Sequence, residues 1–284
     1  MHHQDATELE LWWPPLKGML SMYGRARTAV VMAPACSLCL AASLLHAADL
    51  HDAQKLYRTG KYAEAIGLAA QAIAAGDISE AWPVLKLKGE LTLGRYADAR
   101  KTLEAALARF PYSAQLHWLG RDVYRFNNLP DRAKRMADEL GEQLRQAPWR
   151  YRDAINEVVV GRFMLSQGVD PKQVLDALFN DAKKQQPNAA EPWLASGELA
   201  LDKNDFALSA EAFERATKLA PDDPDAKLGL ARAFAPSDPK LAQDAIEAAL
   251  AINPFHLESL FFLMKPSAAR RRCARGPPIP KSIT

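Results

Sequence analysis

With 284 residues, 49% of them hydrophobic and 25% charged, the chain has the make-up of a globular protein of one or two domains. Its formal net charge of +2 is set by its ends: residues 265–284 carry six basic groups and no acid, residues 1–27 carry three of each, and residues 28–264 hold 27 bases against 31 acids. A body so close to neutrality, and slightly acidic, does not look like that of a nucleic-acid-binding protein.

The N-terminal region reads as a targeting segment. Arg25 and Arg27 precede the uncharged run Thr28–Leu45, and His46-Ala47-Ala48 leads to the first acid, Asp49. A basic start, an apolar middle and a small-residue exit describe a secretory signal peptide over residues 19–47. The competing reading is an uncleaved anchor formed by residues 28–45, which are just long enough to span a bilayer. Pro34 and the small-residue exit favour cleavage, and with it export to the periplasm or cell envelope. Residues 1–18 precede the signal awkwardly, because Met19 or Met22 would start it in the ordinary way, so they read as a misplaced start or an untranslated leader. Cys36 and Cys39 lie inside the apolar run, where cysteine acts as a small apolar residue. Cleavage leaves Cys273 alone, so no intramolecular disulfide is expected.

From residue 46 onward the chain repeats itself. Residues 190–223 read AEPWLASGELALDKNDFALSAEAFERATKLAPDD, a 34-residue unit with Trp193, Gly197, Phe206, Phe213, Ala216 and Pro221 at fixed offsets. Weaker copies lie near 46–78 (Gly60-Lys61-Tyr62, Ala65, Ala69, Ala72) and 80–111 (Gly94-Arg95-Tyr96, Ala99, Leu103, Ala106, Pro111). A third, 113–147, has Leu119-Gly120 but an irregular second half, where Asn127–Pro130 makes a turn and Asp131 is placed to cap the next helix. A fourth, 154–187, has Val160-Gly161 and a turn lengthened by Val169-Asp170-Pro171, and a sixth, 224–255, has Leu230-Ala231 and a shortened turn. A partial seventh, 257–264, precedes a basic, Pro-rich tail over 265–284 that has no periodicity and is expected to be disordered.

These offsets resemble the tetratricopeptide repeat (TPR), whose pattern is W-x2-L-G-x2-Y, A-x3-F and P at a period of 34. The resemblance implies an all-α fold, an α-α superhelix of about six helix pairs and a partial seventh. Within each unit, small residues at positions 8, 20 and 27 let helices approach, and larger ones at 4, 7, 11, 17 and 24 fill the space between them. Positions 2, 5, 9, 12 and 13 of the first helix would line a concave groove.

No catalytic constellation is present: the chain has no H-E-x-x-H, G-x-S-x-G, phosphate-binding glycine loop or spaced Cys/His cluster, and its six histidines are scattered. A non-enzymatic scaffold without cofactor or metal is therefore expected, with a protein or peptide partner and no nucleic acid. Position 9 is Lys88, Arg121, Arg162, Glu198 and Arg232 in units two to six, basic at four of five places, and Tyr124 and Arg125 stand at positions 12 and 13 of unit three. Such a series would fork onto the carboxylates of an acidic partner, with membrane contact only through an uncleaved signal. A second reading takes the chain as the front part of an exported TPR protein whose H-E-x-x-H zinc peptidase lies further downstream.

Overall fold

The computed structural model describes residues 50–264. The N-terminal extension, the signal peptide, the anchor reading of 28–45, all three cysteines and the tail 265–284 lie outside the described residues. Described residues are helical throughout: α1 (50–58), α2 (Tyr62–Ala74), α3 (Ala81–Thr92), α4 (Tyr96–Arg109), α5 (Ala114–Phe126), α6 (Pro130–Gln146) and α7 (Ala154–Ser166) come first. Then follow α8 (Pro171–Val174), a π-helical turn (Leu175–Phe179) and α9 (Asn180–Gln185), which together form one helical stretch. α10 (Glu191–Asp202), α11 (Phe206–Leu219), α12 (Pro224–Phe234), α13 (Pro239–Ile252) and α14 (Leu257–Met264) complete the order. No described helix is long and apolar enough to cross a membrane.

One turn chemistry joins the helices of five successive pairs. Each first helix ends in a residue with positive φ: Gly60 (83°), Gly94 (70°), Asn128 (59°), Gly168 (88°) and Asn204 (58°). Gly and Asn tolerate this left-handed conformation, and it turns the next N–H back onto the helix. Lys61, Arg95, Leu129, Val169 and Asp205 each donate to the carbonyl five residues earlier, at 2.8–3.1 Å. Two of the following helices are then started by Asp side chains, at Asp170 and Asp205, which accept from backbone N–H groups of the first turn, and Asp238 does the same for α13.

The third unit departs from its sequence reading. Its second half is regular: α6 runs for 17 residues, with Ala133, Met136, Leu140 and Leu144 buried along one face. Asp131 does not cap it. Leu129 holds the cap position, Pro130 supplies the first helical residue, and Asp131 stands exposed in the first turn.

Small residues set the helix spacing. A Cβ at Gly120 would meet Met136 Sδ at 3.0 Å, one at Gly161 would collide with the Phe179 ring, and one at Gly197 would fall 2.8 Å from the Phe213 ring. The π-helical turn ends on Phe179, which it sets against Gly161 in the largest apolar cluster with Val160, Phe163, Met164 and Leu178. Helices pack mostly on their sequence neighbours, and first helices also touch the next first helix, as α5 does α7 and α10 does α12. This places the first helices side by side along one face, the inner one.

The array curves until its ends meet. Asn253, at the end of α13, donates to the Tyr62 hydroxyl at 2.8 Å across 191 residues of sequence. Arg58 pairs with Asp222 at 3.2 Å, and the backbone at Gly60 lies against the side chains of Asn253 and Phe255. The superhelix is thus clasped through α1–α2 on one side and the α11–α12 and α13–α14 connections on the other.

Candidate functional site

The inner face carries a charge network drawn from five first helices. Arg162 on α7 donates to Glu191 at 2.7 Å and to Glu198 at 3.1 Å, both on α10. Asp225 on α12 accepts from His256 Nε2 at 3.0 Å, and His256 Nδ1 lies 2.7 Å from Ser259 Oγ. Lys88 on α3 reaches the same interior from the opposite side, close enough to act on both Glu191 and Asp225. Asp223 is shielded by Arg58 and repelled by Asp225 and Glu191.

These groups lie deep in the concavity although water still touches them; Glu191 and Glu198 keep about half of their side-chain area accessible. Partial withdrawal from solvent disfavours every charge, so neighbours decide each outcome. For Arg162, withdrawal is outweighed by Glu191 and Glu198, and its pKa rises. Withdrawal from solvent raises Glu191 and Asp225, but the cations around them overcome it and both end below the usual carboxylate value. Glu198 ends above it, because withdrawal and repulsion by Glu191 exceed what Arg162 returns. Asp223 is pushed up to about 6, by withdrawal from solvent first and then by Asp225.

Beside this network an open cleft of about 610 Å³ lies between α5, α7 and α10. Trp118, Leu165, Phe179 and Leu199 form its apolar side, and Arg162, Glu198 and Asp202 its polar side. Among the described residues no group of three or more His, Cys, Asp or Glu side chains is placed to hold a metal ion.

The family model of the tetratricopeptide repeat matches residues 84–147 and 194–256. The chain contains tetratricopeptide repeats. Comparison with curated proteins finds no match. Among solved structures, YrrB, described as a TPR protein with an unusual peptide-binding site, is 16% identical, with 69% of this chain and 97% of that one covered and a TM-score of 0.37. TTC0263, a thermophilic TPR protein in Thermus thermophilus, is 17% identical, with coverage of 76% and 95% and a TM-score of 0.38. The TPR2AB domain of yeast Sti1, solved as a complex with pHSP90, is 14% identical, with coverage of 78% and 96% and a TM-score of 0.35. The repeat match carries the assignment; the structural likenesses carry no argument.

In TPR numbering the network follows a rule: position 9 of one repeat meets position 2 of the next. Arg162 (position 9) takes Glu191 (position 2), and Arg232 (position 9) takes Glu258 (position 2) at 2.8 Å. Where position 2 offers no acid, the base goes elsewhere: Arg121 faces Ile155 in that register and instead lies over the Trp118 ring, 3.3 Å from its centroid, with Nε donating to the Trp118 carbonyl at 3.3 Å. One step is inverted, since Glu198 precedes Asp225, and the carboxylates repel. The position 9 series is therefore engaged largely by the protein's own side chains. Of the seven residues singled out in the sequence, the fold brings Lys88, Arg162 and Glu198 into one network and sets Arg121 near its cleft. Arg125 is exposed near the end of α5, 3.7 Å from Asp122, and Arg232 lies by α14. Tyr124 does not belong to the groove: it is 5% exposed in the core between repeats, because position 12 follows the buried Gly120 by four residues and shares its helix face.

Sequence reasoning placed position 2 in the groove but read residues only at positions 9, 12 and 13, although Glu191, Asp225 and Glu258 were visible at position 2. The clasp had no local signal. Changing both Arg58 and Asn253 to Ala is expected to enlarge the radius of gyration in solution scattering and to lower stability by about 1–2 kcal/mol, the scale of one buried hydrogen bond and one partly exposed ion pair. An unchanged radius would mean that helix packing alone sets the curvature.

Proposed function

We propose that the chain is a non-catalytic scaffold that holds a protein or peptide partner against its concave face, and that it is exported to the cell envelope. The observation that carries the first part is the continuous inner face of first helices, opening into a cleft with an apolar and a charged side, on a fold whose repeats build surfaces rather than reaction centres. Export is supported by the Arg25/Arg27, apolar, Ala47-Ala48 series.

One experiment addresses both. A photo-crosslinking residue placed at Ser166, which lines the cleft, is compared with one at Leu208, exposed on α11 away from it, in full chain expressed in a bacterium. Adducts are expected from position 166 and not from 208, in the envelope fraction, on a chain beginning at Ala48 or Asp49. Adducts from 208 alone would move the partner to the outer surface, and a soluble cytoplasmic product retaining residues 28–47 would remove export.

A further inference from the structure

The cleft between α5, α7 and α10 has a charge balance opposite to the one suggested by the basic residues at position 9. Its floor is Phe179, Ala195 and Leu199, all nearly inaccessible, and Trp118 and Leu165 rise beside them, half-buried against the same core. The guanidinium on its polar side is already paired: Arg162 bridges two carboxylates, so an acidic group entering here would share a charge that Glu191 and Glu198 already neutralise and would stand beside Glu198 and Asp202. Arg121 is committed to the Trp118 ring and carbonyl. Of the charged side chains that line the cleft, Arg162 stands against Glu198 and Asp202, so one negative charge is in excess there. Asp202 is exposed and is the last residue of α10, where the helix's own carbonyl ends add to the negative potential.

We infer that this cleft receives a lysine or arginine side chain of the partner, with its methylene stem along Trp118, Leu165 and Leu199 and its cationic head between Glu198 and Asp202. The inference rests on the concave-face reading above. Long basic side chains suit such a site because their stems cover apolar surface while their heads stay hydrated and charged. The partner class is thus a basic segment, and an acidic peptide is disfavoured by the excess charge.

The test uses the full chain and three fluorescein-labelled dodecapeptides with one alternating leucine frame, carrying lysine, glutamine or glutamate at the other positions. Fluorescence anisotropy is expected to rank them lysine, then glutamine, then glutamate, with the lysine preference reduced between 50 and 500 mM salt. Asp202→Asn, an exposed change that leaves the Arg162 pairs intact, is expected to weaken the lysine peptide by about two- to fivefold, the effect of one accessible ion pair, and to leave the glutamine peptide unchanged. Glutamate binding more tightly than lysine, equal loss of lysine and glutamine peptides in Asp202→Asn, or no binding of any of the three would each overturn the inference. In all these cases the crosslinking contrast between positions 166 and 208 still decides separately whether the concave face is an interaction surface.

Discussion

Phe213→Ala is expected to be among the most destabilising single changes in the described repeats, at about 3–5 kcal/mol. Phe213 is 2% exposed on α11, and its ring fills the space left by two glycines at once. A Cβ on Gly197 of α10 would fall 2.8 Å from the ring, and one on Gly229 of α12 would collide with it. One side chain therefore sets the spacing of three helices across a repeat boundary, and removing it leaves a void that glycines on two sides cannot close. The reverse change is expected to be harmful from the other direction. Gly197→Leu inserts methylenes where none fit and should cost about 1–3 kcal/mol or more. Its neighbour Glu198 is half exposed and makes one accessible ion pair, so Glu198→Leu should cost about 1 kcal/mol at most. Urea midpoints of the three variants check the register. Equal losses at 197 and 198 would contradict the helix faces described here.

The parts of this fold that were legible in the sequence are those written within one repeat. Gly-x-Tyr turns, Asn pairs and the glycines at position 8 act through backbone conformation and steric contact with residues about fifteen to twenty positions away, so they leave a periodic trace. What the sequence hid depends on curvature, which accumulates over six repeats. Nothing local in Tyr62 or Asn253 announces that they meet, and nothing local in Lys88 announces that it faces Glu191 and Asp225. The candidate site was legible in part. Position 9 pointed to the inner face, but its bases were weighed alone, without the position 2 acids of the next repeat that engage them. Tyr124 was misread because a polar-tipped aromatic at position 12 was taken as a groove residue when its spacing from Gly120 already placed it inward. Glu157 is a related case. It falls at position 4 of its repeat, where Leu116 and Trp193 stand in the neighbouring ones, a place for a space-filling side chain rather than a charge.

Glu157 accordingly behaves as a buried acid, and its titration should be visible in the stability of the whole protein. Its side chain is inaccessible; Oε2 accepts from Gln185 Nε2 at 3.0 Å, and Oε1 has no hydrogen-bond partner among the described residues. The same Gln185 amide also donates to Asp181 at 3.1 Å, so two carboxyl groups share one donor. Withdrawal from solvent, then repulsion by Asp181, push its pKa up to about 8, against the opposing pull of Arg152 and Gln185. The unfolded chain releases this proton near the ordinary glutamate value, so between roughly pH 4.5 and 8 the folded state holds a proton that the unfolded state has lost. Stability from this group is therefore greatest below that window and falls as pH rises through it, by an amount on the order of a few kcal/mol. Glu157→Gln keeps the shape and the acceptor for Gln185 and removes the ionisation. Urea unfolding at pH 5 should find the variant within about 0.5 kcal/mol of the unmodified protein, as for a substitution that neither creates nor breaks a buried charge. At pH 9 the variant should be the more stable of the two, by about 1–3 kcal/mol, because only the unmodified chain must then hold a buried carboxylate beside Asp181. Comparing the two proteins at each pH cancels the titrating groups that do not interact with Glu157. A variant equally destabilised at both values would show that Glu157 is ionised throughout and serves as the counter-charge of Arg152.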